Sequence, residues 1–195
     1  MLFRSMTHGE DIVFGGSGDD VIDGNLGDDS IFGGAGNDDL DGNWGDDHIE
    51  GGAGNDWVNA DDGDDFVLGG IGSDHLFGGK GDDAMSGGED DDHLSGGEGD
   101  DVMNGNAGDD HMYGGSGADT FIFSAGSDTV NGGEGEDVLL IQFTGQEGVT
   151  LWEDYNASEG DRALGSIAGE TVDVSFLASL SDSQSFSWNG STLLL

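Results

Sequence analysis

The chain has 195 residues, with 43 acidic against 3 basic side chains for a net charge of −40, 41 glycines, no proline and no cysteine. Arg4, Lys80 and Arg162 are too few to neutralise phosphate, which excludes nucleic acid and anionic membranes as partners. The lack of cysteine excludes a disulfide framework, thiolate catalysis and thiolate-bound zinc. Taken in chain order, residues 1–5 read as a short N-terminal extension. The opening stretch MLFRSMTHGED has one arginine and no apolar run, so it is not a secretory signal peptide, and no segment reaches the roughly 18 apolar residues of a membrane span.

From Met6 to Leu140 the chain repeats with a period of nine and no insertion through fifteen units, beginning MTHGEDIVF, GGSGDDVID, GNLGDDSIF and ending GGEGEDVLL. A period of nine and the lack of proline exclude collagen. The sixth column is aspartate in every unit: Asp11, Asp20, Asp29, Asp38, Asp47, Asp56, Asp65, Asp74, Asp83, Asp92, Asp101, Asp110, Asp119, Asp128 and Asp137. The eighth is always apolar, from Val13, Ile22 and Ile31 to Phe121, Val130 and Leu139, and the fourth is glycine except at Asp90. Glycines in the first four columns permit the positive φ of a tight turn. The three residues after each aspartate, such as Val21-Ile22-Asp23, read as a short strand with its middle side chain inward. One unit cannot bury that side chain alone; stacked coils of two units would align residues 18 apart at about 4.8 Å, in 7.5 coils roughly 36 Å long.

The columns match G-G-x-G-x-D-x-U-x, and over residues 6–140 the chain resembles the RTX calcium-binding family. The resemblance implies an all-β fold, a right-handed parallel β-roll, with calcium held between turns one coil apart by the aspartates and loop carbonyls. Asp20 would share an ion with Asp38, Asp29 with Asp47, and so on to Asp119 with Asp137. Hard carboxylate and carbonyl oxygens suit calcium better than magnesium. Up to about 13 ions would offset most of the charge, leaving about −14, and without them aspartates stacked at about 4.8 Å would repel strongly. Binding and folding should then be one event. Nothing here follows the twelve-residue EF-hand loop.

Some units depart from the pattern. Ala60-Asp61-Asp62 lacks the first two glycines, Gly87-Gly88-Glu89-Asp90 the fourth, Phe123-Ser124-Ala125 two, and Met6-Thr7-His8 has none, so sites at Asp11 and Asp128 should be the least secure. Fifth-column acids such as Asp19, Asp28, Asp46, Asp64, Asp82 and Asp100 read as surface charge rather than ligands. His48, His75, His93 and His111 share the seventh column, and the last three would form a vertical ladder open to a transition metal or to protonation, or a plain outward strand position. Leu26 with Trp44 and Phe14 with Phe32 fall one coil apart as apolar pairs, either a contact surface or covered by the terminal segments.

Residues 141–195 leave the repeat and read as a β cap: Val149–Trp152, Thr171–Phe176, and a hairpin around Asn189-Gly190 within Phe186–Leu193. In the RTX family, an uncleaved C-terminal segment directs type I export, and the end Leu193-Leu194-Leu195 is compatible with that role. An enzyme is disfavoured, since no G-x-S-x-G or H-E-x-x-H occurs. The leading expectation is a secreted, extracellular calcium-binding structural protein that folds outside the cell and self-associates into matrix, surface layer or filament. The alternative is a monomeric folding and secretion module, or part of a larger RTX adhesin or enzyme. A carbohydrate-binding roll like those attached to alginate epimerases is a weaker option, because so acidic a surface would repel an anionic polysaccharide unless calcium bridged the two.

Overall fold

Every repeat unit contributes one strand, and most of these are longer than the three obvious residues. In the computed structural model, Val21–Leu26, Ser30–Ala35 and Asp39–Trp44 are each six residues long, running from the seventh column through the third column of the next unit. The glycine-rich half of the repeat is therefore mostly strand, and the turn shrinks to columns four to six. The extension was hidden because glycine is a poor strand former. Here it is tolerated because the second column pairs while holding positive φ, as in Gly34 opposite Gly52. Where that column is not glycine among the described residues, it carries Asn25, Asn43, Asp61 or Asn106, all between +74° and +79°, and Asp90 takes the same conformation in the fourth column at +77°. Asparagine and aspartate are the residues best able to replace glycine there.

The structure describes residues 3–5, 8–122, 125–142, 149–152, 162–167, 170–173, 185–188 and 191–194. Among them there is no helix. Through Arg162–Ile167, successive strands alternate between two sheets of 11 and 10 strands. Ile12–Ser17, Ser30–Ala35 and His48–Ala53 are neighbours in the smaller sheet, and Val21–Leu26, Asp39–Trp44 and Trp57–Asp62 in the larger. The repeat strands pair in parallel with those two units away, Ile31 against Ile49 and Leu40 against Val58. This is a parallel β-solenoid of two units per turn. Phe3–Ser5 also pairs in parallel, with Val21–Asp23.

Past the repeat, Val149–Trp152 follows Thr129–Glu134 in the larger sheet, and the previously unmarked strand Arg162–Ile167 follows Val138–Gln142 in the smaller. Each sheet then ends on an antiparallel strand. Glu170–Asp173 folds back on Arg162–Ile167, while residues 174–176 of the expected strand lie outside the described residues. Ser185–Trp188 pairs with Ser191–Leu194, Trp188 facing Ser191, which is the hairpin register the Asn-Gly pair specifies.

The core is a file one side chain wide along each sheet. Ile22, Ile31, Leu40, Ile49, Val58, Val67, Leu76 and Leu94 are completely buried. Among the described residues the interior holds sixteen apolar side chains and fourteen aspartates, so nearly every buried apolar group is matched by a buried carboxyl. Burying an ionised carboxylate costs more than a single aliphatic side chain returns. The roll therefore cannot rest on its hydrophobic file alone.

Candidate metal centre

The sixth-column carboxyls are part of the wall of the roll. Asp20 and every aspartate of that column through Asp137 are at most 2% exposed, and only Asp11, in the first coil, is half-buried. From Asp29 to Asp137, one oxygen of each has a backbone task. The Asp20 amide donates to Asp38 Oδ1 at 2.8 Å, Asp29 to Asp47 at 2.7 Å, and Asp101 to Asp119 at 2.9 Å, always to the equivalent aspartate of the next coil. The Asp110 amide reaches Asp128 Oδ1 at 3.2 Å, the longest of these bonds. The aspartate carbonyls bind the same neighbour, as in Asp39 N–H to Asp20 O at 2.9 Å.

The second oxygen is left over. Oδ2 of Asp29, Asp38, Asp47, Asp56, Asp65, Asp74, Asp83, Asp92, Asp101, Asp110 and Asp119 is buried and meets no hydrogen-bond donor. A buried carboxylate oxygen in that state is costly unless a cation faces it. The surroundings of the Oδ2 atoms are equally specific. A Cβ added to Gly33 would lie 2.5 Å from Asp38 Oδ2 and 2.6 Å from the carbonyl oxygen of Gly51, one coil on. A Cβ on Gly15 would likewise meet Gly33 O at 2.5 Å and Asp20 Oδ2 at 2.8 Å. The first-column glycine thus lines a narrow space into which a carboxylate oxygen of its own unit and a carbonyl of the next coil both project. Among the described residues no three acidic or histidine side chains gather as a metal cluster, so a cation held here must draw its remaining ligands from backbone carbonyls. An all-oxygen set of carboxylate and carbonyl fits calcium.

The electrostatics agree. Burial raises the carboxyls of Asp47, Asp74, Asp83, Asp92 and Asp119 to about 7 and those of Asp56, Asp65, Asp101 and Asp110 to about 6. The amide donated from the previous coil opposes the rise, and neighbouring acids add to it. Without a counter-charge these groups resist ionising, which is the electrostatic form of a cation requirement.

The fifth column has a role that sequence reading missed. Asp28 Oδ1 accepts the Asp46 amide at 3.1 Å, Asp46 that of Asp64 at 3.0 Å, and Asp64 that of Asp82 at 2.9 Å. Asn37 and Asn55 do the same on the opposite edge, for the amides of Asn55 and Ser73. These exposed side chains cap the turn of the coil that follows, whereas the sixth column caps the coil before. The signal was present in the restriction to short acceptors, since Asp, Asn and Ser dominate the column.

The seventh-column ladder forms as the spacing requires, His93 standing in register with both His75 and His111. The His75 and His93 rings stack at 5.6 Å and 6°. Burial, followed by the charges of His75 and His111, holds His93 below the ordinary histidine range. Phe14 and Phe32 also stack, at 4.9 Å.

Ala60 is the first-column residue that carries a Cβ among the described ones, and it is buried. Its carbonyl keeps the column's place, 2.9 Å from a Cβ built on Gly42, while its methyl takes the space glycine leaves beside the unit's aspartate, Asp65. Ala60→Gly is expected to lower the calcium concentration at the folding midpoint by about threefold, a ~0.7 kcal/mol effect. Gly51→Ala should raise it, as read by circular dichroism during calcium titration. Equal midpoints in both variants would contradict a cation seat at the first column.

No curated protein sequence matches the chain. The RTX calcium-binding nonapeptide repeat matches it in overlapping copies from residue 9 to 121 and again over 124–140, well over half its length. The chain belongs to the family of RTX calcium-binding repeat proteins, and its roll is a calcium-binding module.

Proposed function

We propose that this protein is a secreted structural component whose roll is folded by extracellular calcium and which then associates end to end. In this reading Asp20 and Asp38 flank one ion, Asp29 and Asp47 the next, and the series continues to Asp119 and Asp137. The observation that carries it is the file of buried Oδ2 atoms from Asp29 to Asp119, which face carbonyls of the following coil and no donor. Calcium supplies the positive charge that lets the column ionise while buried. The roll's own residues do the rest: Oδ1 and the aspartate carbonyl fix the spacing of the coils, and the glycine column keeps the seat open. A cytosol poor in calcium leaves the chain extended for export, and millimolar calcium outside folds it. Residues 6–140 form the roll, residues 1–5 precede it, and residues 141–195 close its C-terminal end and carry the type I export signal. Support for end-to-end association comes from the repeat itself, since each coil offers its neighbour the same amides and acceptors.

The test is size-exclusion chromatography with light scattering, in chelator and then in millimolar calcium. Contraction with a mass that grows is the expected result. Contraction at a constant single-chain mass would replace the assembling protein with a monomeric folding and secretion module. An unchanged radius would overturn calcium-driven folding.

A further inference from the structure

Around Asp39–Trp44 and Trp57–Asp62 larger side chains stand in the second and third columns, and there a surface hollow of 290 Å³ opens, lined by Asn43, Trp44, Asp61, Asp62 and Lys80. The roll does not need these side chains. In the second column glycine serves at Gly52, Gly70 and Gly79, yet Asn43 and Asp61 are held at φ of 79° and 74°. In the third column small residues serve at Ala35 and Ala53, whereas here the register sets Trp44 beside Asp62 and Asp62 beside Lys80. The Trp44 indole is 58% exposed and so contributes little to the core. The Lys80 ammonium donates to Asp62 Oδ1 at 2.6 Å, neutralising one carboxylate and leaving Asp61 as net negative charge.

An exposed indole bordered by an amide, two carboxylates and an ammonium matches the two-sided chemistry of a pyranose. The ring's C–H face packs on the electron-rich indole, while its hydroxyls donate to carboxylates and accept from amide and ammonium. The hollow is near the lower end of the ~300–1,000 Å³ typical of small-ligand pockets, which fits a single sugar unit. An anionic sugar would be repelled by Asp61 and by the charge of the whole chain. We propose that this hollow is a saccharide subsite for an uncharged or amine-bearing sugar, with Trp44 as its stacking platform.

A second platform lies within reach. Trp57 stands four residues before Asp61 on the same strand, about 13 Å away. It is 49% exposed and backed by His75 and Phe77, with ring centroids 5.2 and 5.0 Å from its own. A short glycan lying along the strands would meet both tryptophans. The site needs the roll folded but not assembled, so it goes beyond the structural reading above.

The test is retention on chitin, cellulose and alginate beads in millimolar calcium, for the wild type, Trp44→Ala and Asp61→Gly. Each substitution installs a residue the same column already uses, and calcium-induced circular dichroism reports folding; Trp44→Ser, matching Ser17 and Ser116, replaces any tryptophan variant that fails to fold. Expected is retention on chitin or cellulose, reduced about tenfold by Trp44→Ala and about threefold by Asp61→Gly, with none on alginate. Passage through both uncharged or acetamido polymers, retention indifferent to both substitutions, or equal retention on alginate would each overturn the proposal.

Discussion

Asp83→Asn is expected to raise the calcium concentration needed for folding by about tenfold, ~1.4 kcal/mol, while making the calcium-free chain easier to compact. The two effects oppose each other because the side chain has two tasks. Asp83 Oδ1 accepts the Asp65 amide at 2.9 Å, and an asparagine carbonyl can keep that bond. In the proposed sites Asp83 shares one ion with Asp65 and another with Asp101, so the substitution would remove a charge that faces both. Without calcium the same change removes a carboxyl whose burial raises it to about 7, and so relieves the metal-free roll. Asp83→Ala provides the contrast: it also strips the Asp65 amide of its acceptor, at a further cost of ~1–3 kcal/mol, and should weaken the roll with and without calcium. Calcium titrations followed by circular dichroism, with and without chelator, separate these outcomes. An asparagine variant that behaves as wild type would remove Asp83 from the cation site.

Acid should partly substitute for the metal. In the calcium-free roll burial raises the carboxyls of Asp47 and Asp74 to about 7 and that of Asp56 to about 6, against 3.8 in an unfolded chain. A raised folded value means that the folded state binds more protons throughout that interval. Its stability is then full below about 4 and is lost as pH rises through 6 to 7. A chelated sample moved from pH 7.5 to pH 5 is expected to contract and gain β signal, remaining above the sequence pI of 4.1. With calcium present the sign reverses, because protons compete for the ligands, and the calcium midpoint should climb as pH falls below 7. Scattering radii that coincide at pH 5 and 7.5 in chelator would mean that carboxylate repulsion and desolvation are not what keeps the apo chain open.

What the sequence disclosed was whatever recurs at a fixed interval. The period of nine set the inward file of Ile22, Leu40 and Val58, because side-chain direction depends only on position in the period; the coil of two units was an assumption there, and the pairing of Ile31 with Ile49 establishes it. The aspartate column was legible for the same reason. Strand length was not: Gly33 and Gly34 look like turn residues until a neighbouring coil supplies their hydrogen-bond partners. The work of Asp28 and Asn37 was only half legible: the column's restriction to short acceptors is visible, but the amide each one accepts belongs to the next coil and not to its own unit. The departures at Asp61 and Asp90 looked like defects, yet their backbones keep the glycine conformation, as short polar side chains permit. Arg162–Ile167 was missed because RALGSI has no alternation, and its strand exists through pairing with Val138–Gln142.

Where the fifth column carries aspartate or asparagine, the opposed caps of the fifth and sixth columns make the junctions between coils alike: one amide is given upward and one downward, and both are received in return. Length is consequently a free variable, while phase is not. Excising a pair of units subtracts one coil and returns every later strand to its own sheet. Excising a single unit sends every later strand across to the other sheet, exchanging the two outer faces from that point on. Variation in a gene of this kind is thus quantised in double repeats, and the roll can lengthen or shorten over generations like a stack of identical plates without redrawing either face.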